Sequence, residues 1–174
     1  MWNGSRKPKK LPVDVTEEEF TALLNVTKQR KHRLAFLLAW GSGLRISEVL
    51  KVQKRDFDFD KNTIRINEGK GKKDRIVPIP RGWRESFMEF IPFDFKDRSL
   101  QKTFRTYTEK SGLREKKPTV HFHSLRHGFA TQCLRKGIGL RSIQMMLGHS
   151  DLSTTAIYLQ LAPEEVMNEY QNKF

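Results

Sequence analysis

The sequence predicts a mainly α-helical domain with a small antiparallel β-sheet, an α+β fold. Three observations carry that expectation. Apolar residues recur at helical spacing through most of the chain. Two short alternating segments, TIRIN at 63–67 and RIVPI at 75–79, flank a Gly- and Lys-rich stretch, EGKGKKD, in the pattern of a β-hairpin. Capping residues, glycines and prolines punctuate the helical stretches at intervals suited to short helices. A chain of 174 residues is long enough for one domain with a proper core.

In chain order, residues 1–12 are basic, carry Pro8 and Pro12, and read as a linker or arm ahead of a domain spanning 13–174. Thr16 and Glu19 form a capping box that opens a helix with Phe20, Leu23 and Leu24 on one face. A second helix is expected over about 30–40, ending at Gly41 or Gly43, and a third from Leu44. DFDF at 56–59 is a candidate third strand. PRGWRESFMEF reads as one helix and RSLQKTFRTYTEK as another, ended by Gly112, after which Pro118 closes a basic loop. HSLRHGFATQCLRKG places Leu125, Phe129, Ala130, Cys133 and Leu134 on one helical face, and Gly137 stops it. GLRSIQMMLG, LSTTAIYLQ and PEEVMNEYQ complete the chain as three short helices.

Composition narrows the function. The longest apolar run, LAFLLAW at 34–40, is far below the roughly 18 residues of a membrane span. The N-terminal MWNGSRKPKK has charge but no apolar stretch behind it, and the single Cys133 excludes an internal disulfide, so a soluble cytoplasmic protein without membrane contact is expected. Lys and Arg number 33 against 20 acids, a net +13. The excess is regional: Lys96 to Arg141 holds 12 basic and 3 acidic residues, whereas 150–174 holds one Lys and four acids. Clustered cations point to a polyanion, because each neutralised phosphate releases condensed counterions.

Four segments carry chemistry-bearing residues. In GLRISEVL, Arg45 and Glu48 share a helix face at i, i+3. The hairpin tip GKGKKDR presents Lys70, Lys72 and Lys73 between glycines, with Arg75 following, as candidates for contact with a nucleic-acid backbone. In HFHSLRHGFA, His123 and Arg126 stand at i, i+3 and can converge on one oxyanion, while His121 and His127 read as core histidines. A zinc site of His121, His123, His127 and Cys133 has neither paired-Cys spacing nor HExxH, so no metal is expected. LGHSDLSTTAIY sets His149 nine residues before Tyr158.

Taken in order, GLRISEVL, GKGKKDRIVPIP, HSLRHGFAT and LGHSDLSTTAIY resemble the catalytic domain of the tyrosine recombinase (phage integrase, Xer-like) family over about Leu11 to Leu161. The resemblance implies that family's catalytic-domain fold, with the family's N-terminal DNA-clamping domain not represented. It places the two family arginines on Arg45 and Arg126, the hairpin lysine on Lys70, the helical histidine on His123, the His-or-Trp position on His149, the nucleophile on Tyr158 and a supporting acid on Glu48. It implies a site-specific recombinase or integrase acting on double-stranded DNA as a homo-oligomer, a tetramer on its site, with neither cofactor nor metal. Residue chemistry agrees. A tyrosine phenolate conserves the energy of the broken phosphodiester in a covalent link, and guanidinium forks onto phosphate while staying charged. By resemblance, Lys70 protonates the leaving 5′ oxygen, His123 is a base or proton shuttle, and His149 donates to the phosphate. Two other readings remain: a type IB topoisomerase, and a non-catalytic DNA-binding regulator or remnant of a mobile element.

Overall fold

The structure, a computed structural model, describes residues 11–67, 74–149 and 152–160. Helix α1 (Glu17–Val26) opens on the expected capping box: Thr16 Oγ1 accepts from the Glu19 amide at 3.3 Å, and the Thr16 amide donates to Glu19 Oε2 at 2.9 Å. Its apolar face buries Phe20 and Leu23. Helix α2 (Arg30–Gly41) carries Leu34, Ala35, Phe36, Leu38 and Ala39 into the interior and packs on α6 (His123–Arg135). That crossing is close because position 128 has no side chain. A Cβ on Gly128 would lie 2.3 Å from the Val15 carbonyl and 3.0 Å from Trp40 Nε1, which itself donates to that carbonyl at 3.0 Å.

Helix α3 (Ile46–Lys51) leads through a 3₁₀ turn (Lys54–Asp56) into a three-stranded antiparallel sheet. The strands are β1 (Phe57–Asp58), β2 (Thr63–Ile66) and β3 (Arg75–Pro78), in that order, with Ile64 opposite Val77 and Ile66 opposite Arg75. Alternation decides what each side chain meets. Ile64, Ile66 and Val77 face the core; Arg75 shares their side of the sheet, while Ile76 is 62% exposed. Helix α4 (Asp97–Lys110) brings Leu100, Phe104 and Tyr107 inward at i, i+4, i+7, and Phe104 meets Phe36 edge-on with centroids 5.4 Å apart. A short α5 (Leu113–Lys116) stands where a loop was expected, started by Gly112 at φ +72°.

Helices α7 (Leu140–Leu147) and α8 (Leu152–Ala156) follow, and a 3₁₀ turn (Ile157–Gln160) carries Tyr158, so LSTTAIYLQ is not one continuous α-helix. The segment PRGWRESFMEF also departs from expectation, since only Glu85–Phe90 is helical and it is 3₁₀. Gly82 at φ +84° ends the preceding turn, and Trp83 lies flat against Phe57 and edge-on to Phe87, which fixes that chain by tertiary contact. The expected last helix, PEEVMNEYQ, and residues 1–10 of the arm lie outside the described residues. Among the described residues no helix is long and apolar enough to cross a membrane.

The interior divides in two. The larger cluster runs from Val15 through α1, α2, the sheet and α4 to Leu125. A smaller one joins Phe129, Ala130, Cys133 and Leu134 of α6 to Ile143 and Leu147 of α7 and to Tyr158.

Candidate active site

The site gathers at the C-terminal end of α7, where helix geometry leaves carbonyls without intrahelical donors. Arg75 Nε donates to the Met146 carbonyl at 2.7 Å. Arg126 Nη2 donates to the Leu147 carbonyl, and Arg45 Nη2 reaches the same oxygen at 3.4 Å. Three guanidinium groups from α6, β3 and the residue before α3 thus meet the negative end of one helix dipole.

The Glu48 carboxylate sits among them. Glu48 is 11% exposed and accepts two bonds from Arg75 (Nη1 to Oε1 at 2.9 Å, Nη2 to Oε2 at 2.8 Å). It also accepts from Arg45, through the backbone amide to Oε2 at 2.7 Å and Nη1 to Oε1 at 2.8 Å, while Arg126 Nη1 lies 3.9 Å from Oε2. The i, i+3 pairing of Arg45 with Glu48 is therefore present, with Arg45 preceding α3 as its cap residue. Burial pushes the Glu48 pKa up, but the Arg75 hydrogen bonds and charge, the Arg45 amide and the Arg126 charge outweigh it and hold the value at about 2. Glu48 is therefore ionised where it meets the guanidiniums.

Arg126 has no solvent exposure. Its Nη1 donates to the Gly43 carbonyl at 2.7 Å, and its Nε finds no hydrogen-bond partner among the described residues. Burial, then the neighbouring Arg45, lowers its pKa to about 9, still a cation at neutral pH. Gly43 can present that carbonyl because it sits at φ +70°, where a Cβ would come within 2.5 Å of Phe129 Cδ1.

Around the arginines stand the imidazoles. Burial, followed by the charge of Arg126, lowers the pKa of His123 to about 4 and that of His149 to about 4. Both are neutral at pH 7. His149 follows Gly148, which closes α7 at φ +64°, and its Nδ1 lies 2.9 Å from Thr155 Oγ1. Tyr158 is 2% exposed, and its hydroxyl lies 2.9 Å from Nδ1 of His127. Burial raises the phenol pKa against the lowering influence of Arg126. His127 is held neutral, its pKa lowered to about 3 by burial and then by His123, whose ring meets it edge-on at 4.7 Å. The phenol O–H donates to Nδ1 when His127 carries its proton on Nε2.

The structure brings together Arg45, Glu48, His123, Arg126, His149 and Tyr158. Lys70, Lys72 and Lys73 lie outside the described residues. Arg75, a sequence-based candidate for contact with DNA, does not stand on the surface. Its side chain is 6% exposed and turned inward onto Glu48 and α7, because strand alternation puts it on the core side with Val77. His127, read from sequence as a core histidine, is the polar neighbour of Tyr158. The signal available for it was the single helical turn separating it from His123. His121, more exposed, bonds Thr119 through Nδ1 at 3.0 Å. Among the described residues no group of three or more His, Cys, Asp or Glu is placed to hold a metal ion.

Fold and site define an α+β domain built round an arginine-rich anion site with a tyrosine beside it. The chain belongs to the phage integrase family, the tyrosine recombinases, whose family profile matches residues 14–165. It is 39% identical over 180 residues to tyrosine recombinase XerA of Thermococcus onnurineus, covering 91% of this chain and 62% of that protein. It is 34% identical over 187 residues to tyrosine recombinase XerC of Chlamydia muridarum, covering 93% and 58%. The crystal structure of XerH site-specific recombinase bound to palindromic difH substrate, a post-cleavage complex, superposes with a TM-score of 0.78 at 25% identity, covering 96% of this chain and 55% of that one. The chain thus spans about three fifths of the length of the curated relatives it matches.

Proposed function

We propose that the protein cleaves and rejoins double-stranded DNA at a specific site, with Tyr158 as nucleophile and a 3′-phosphotyrosyl link as intermediate. The observation that carries this reading is the convergence of three guanidinium groups on the end of α7, next to a tyrosine. Such a site is rich in guanidinium donors and includes a buried one, Arg126 Nε, that an anionic oxygen would satisfy.

In the proposed reaction Arg45 and Arg126 hold the non-bridging oxygens of the scissile phosphate and neutralise charge that grows on the pentacoordinate phosphorus. The Tyr158 oxygen bonds to phosphorus as its proton leaves, and the bond to the 5′ oxygen breaks. Lys70, by its place in the family motif, gives that oxygen a proton. His123 and His149, neutral before DNA arrives, are donors or proton carriers beside the phosphate. Arg126 and Tyr158 are both buried, so the end of α7 and the turn bearing Tyr158 draw apart for a phosphate to enter. The freed 5′ hydroxyl then attacks the link in a partner strand, within a homo-oligomer assembled on DNA.

The test is an adduct assay. Supercoiled plasmid carrying the DNA that flanks this gene is incubated with the protein in EDTA and quenched with SDS, with Tyr158→Phe in parallel. A covalent protein–DNA adduct that requires Tyr158 is the expected result, and its position gives the site. Relaxation of supercoils without strand exchange would favour the topoisomerase reading. Sequence-selective binding with no adduct, also when an N-terminal DNA-clamping domain is supplied, would leave the regulator.

A further inference from the structure

We propose that Arg75 is a positioning residue of this site: it fixes the plane of the Glu48 carboxylate, through it the guanidinium of Arg45, and at the same time the end of α7 from which His149 follows. The proposal rests on the strand-transfer reading above and assigns a residue to it that touches no substrate.

The geometry is a two-ended clamp. At one end Arg75 forks onto both oxygens of Glu48, at 2.9 and 2.8 Å. A fork sets orientation as well as distance, because two parallel N–H···O bonds fix the carboxylate plane. The remaining acceptor positions of that carboxylate take the amide and Nη1 of Arg45. Arg45 has the more open side chain of the two arginines placed at the phosphate, 31% exposed against 1% for Arg126. A long side chain with that exposure is set in its rotamer by the groups it bonds, and Glu48, itself held by Arg75, is one of them. At the other end Arg75 Nε binds the Met146 carbonyl, one residue before the carbonyl shared by Arg45 and Arg126. When a phosphate draws those two arginines off Leu147, the bond from Arg75 still ties α7 to β3. One side chain thus links β3, the first arginine and the end of α7 from which His149 follows.

A plain buried ion pair would stabilise the fold and nothing more. The two roles separate experimentally because lysine supplies the charge of Arg75 but not its fork. Arg75→Lys and Arg75→Gln are compared in the full chain with wild type and with Val77→Ala, a core substitution two residues along the same strand. The readouts are thermal midpoint, affinity for a duplex the wild type cleaves, and the single-turnover rate of adduct formation at saturating protein. Both Arg75 variants should form adduct about 10- to 100-fold more slowly, the effect of misplacing a reacting group by about 1 Å, with affinity changed less than about threefold. Val77→Ala should cleave at the wild-type rate even where its midpoint falls as far. Arg75 variants that cleave within threefold of wild type, or a rate loss that Val77→Ala reproduces, would overturn the proposal. A crystal structure of Arg75→Lys gives a second arm that needs no DNA site. The contact of Arg45 Nη1 with Glu48 Oε1 should be lost or displaced, and an unchanged contact there refutes the assignment. A wild type that forms no adduct would instead count against the strand-transfer reading, with the structural arm still decisive for Arg75.

Discussion

The two halves of the site are held in opposite ways. Arg45, Arg75, Arg126 and Glu48 form a node of charge-assisted bonds, several at 2.7 to 2.9 Å, anchored on carbonyls from α7 and from Gly43. Tyr158 is held by apolar packing in the smaller cluster and by one neutral contact with His127. A buried charge network has few alternative arrangements, since each leaves an ion unpaired. A tyrosine in a satellite cluster gives up far less when it moves. The arginine half is the more rigid, and Tyr158 is the part freer to move.

The widest contrast comes from removing the nucleophile. Tyr158→Phe should abolish the covalent adduct while the charge node, and with it the duplex affinity, stays near wild type, as read by SDS-resistant complexes and by equilibrium binding. Removing the shared anion strikes the other half. Glu48→Ala removes a carboxylate that binds Arg45 and Arg75 and should cost about 3–5 kcal/mol of stability by urea denaturation. A loss near zero would mean that solvent already screens the node.

Gly43→Ala should cost about 1–3 kcal/mol, because Cβ meets Phe129 and the backbone is left-handed there. It should also slow cleavage by shifting the carbonyl that seats Arg126. His127→Ala should cost about 1–3 kcal/mol by leaving the Tyr158 hydroxyl unpaired, less in a Tyr158→Phe background. A double-mutant cycle with no coupling would show that the 2.9 Å contact contributes nothing.

Acid should act through the imidazoles first. His123, His127 and His149 have folded pKa values near 4, 3 and 4, below the ordinary 6.5. The unfolded chain therefore takes up protons near pH 6.5 that the folded chain refuses until about pH 4. Stability is full above 6.5 and falls as pH drops toward 4. Glu48 adds a loss in the same direction only between 4.5 and about 2. Thermal midpoints should be lower at pH 5 than at pH 7.5, with a smaller difference in His123→Gln.

Much of this architecture was legible in the sequence. TIRIN and RIVPI announced the hairpin because period 2 has few other readings, and Thr16 with Glu19 announced a helix start. Four motifs in order gave the family. What was hidden depends on which way a side chain turns. In RIVP two adjacent apolar residues leave the face ambiguous, and only the sheet decides that Ile76 points out and Arg75 in. The pairing of His127 with Tyr158 spans 31 residues and two intervening helices, α7 and α8, which no local pattern encodes. Trp83 in PRGWRESFMEF follows helical spacing but obeys Phe57.

The bare position at Gly128 also sets how force would pass through the domain. The chain leading into α1 lies on the back of α6 at the residue after His127, pinned by Trp40 to Val15 and by Lys117 to Asp14 and Glu19. A pull on that incoming strand is delivered to the helix that carries Arg126 on its other flank. Helix α6 is thus seated like a beam clamped along one edge, and a load from upstream would reach Arg126 with little slack.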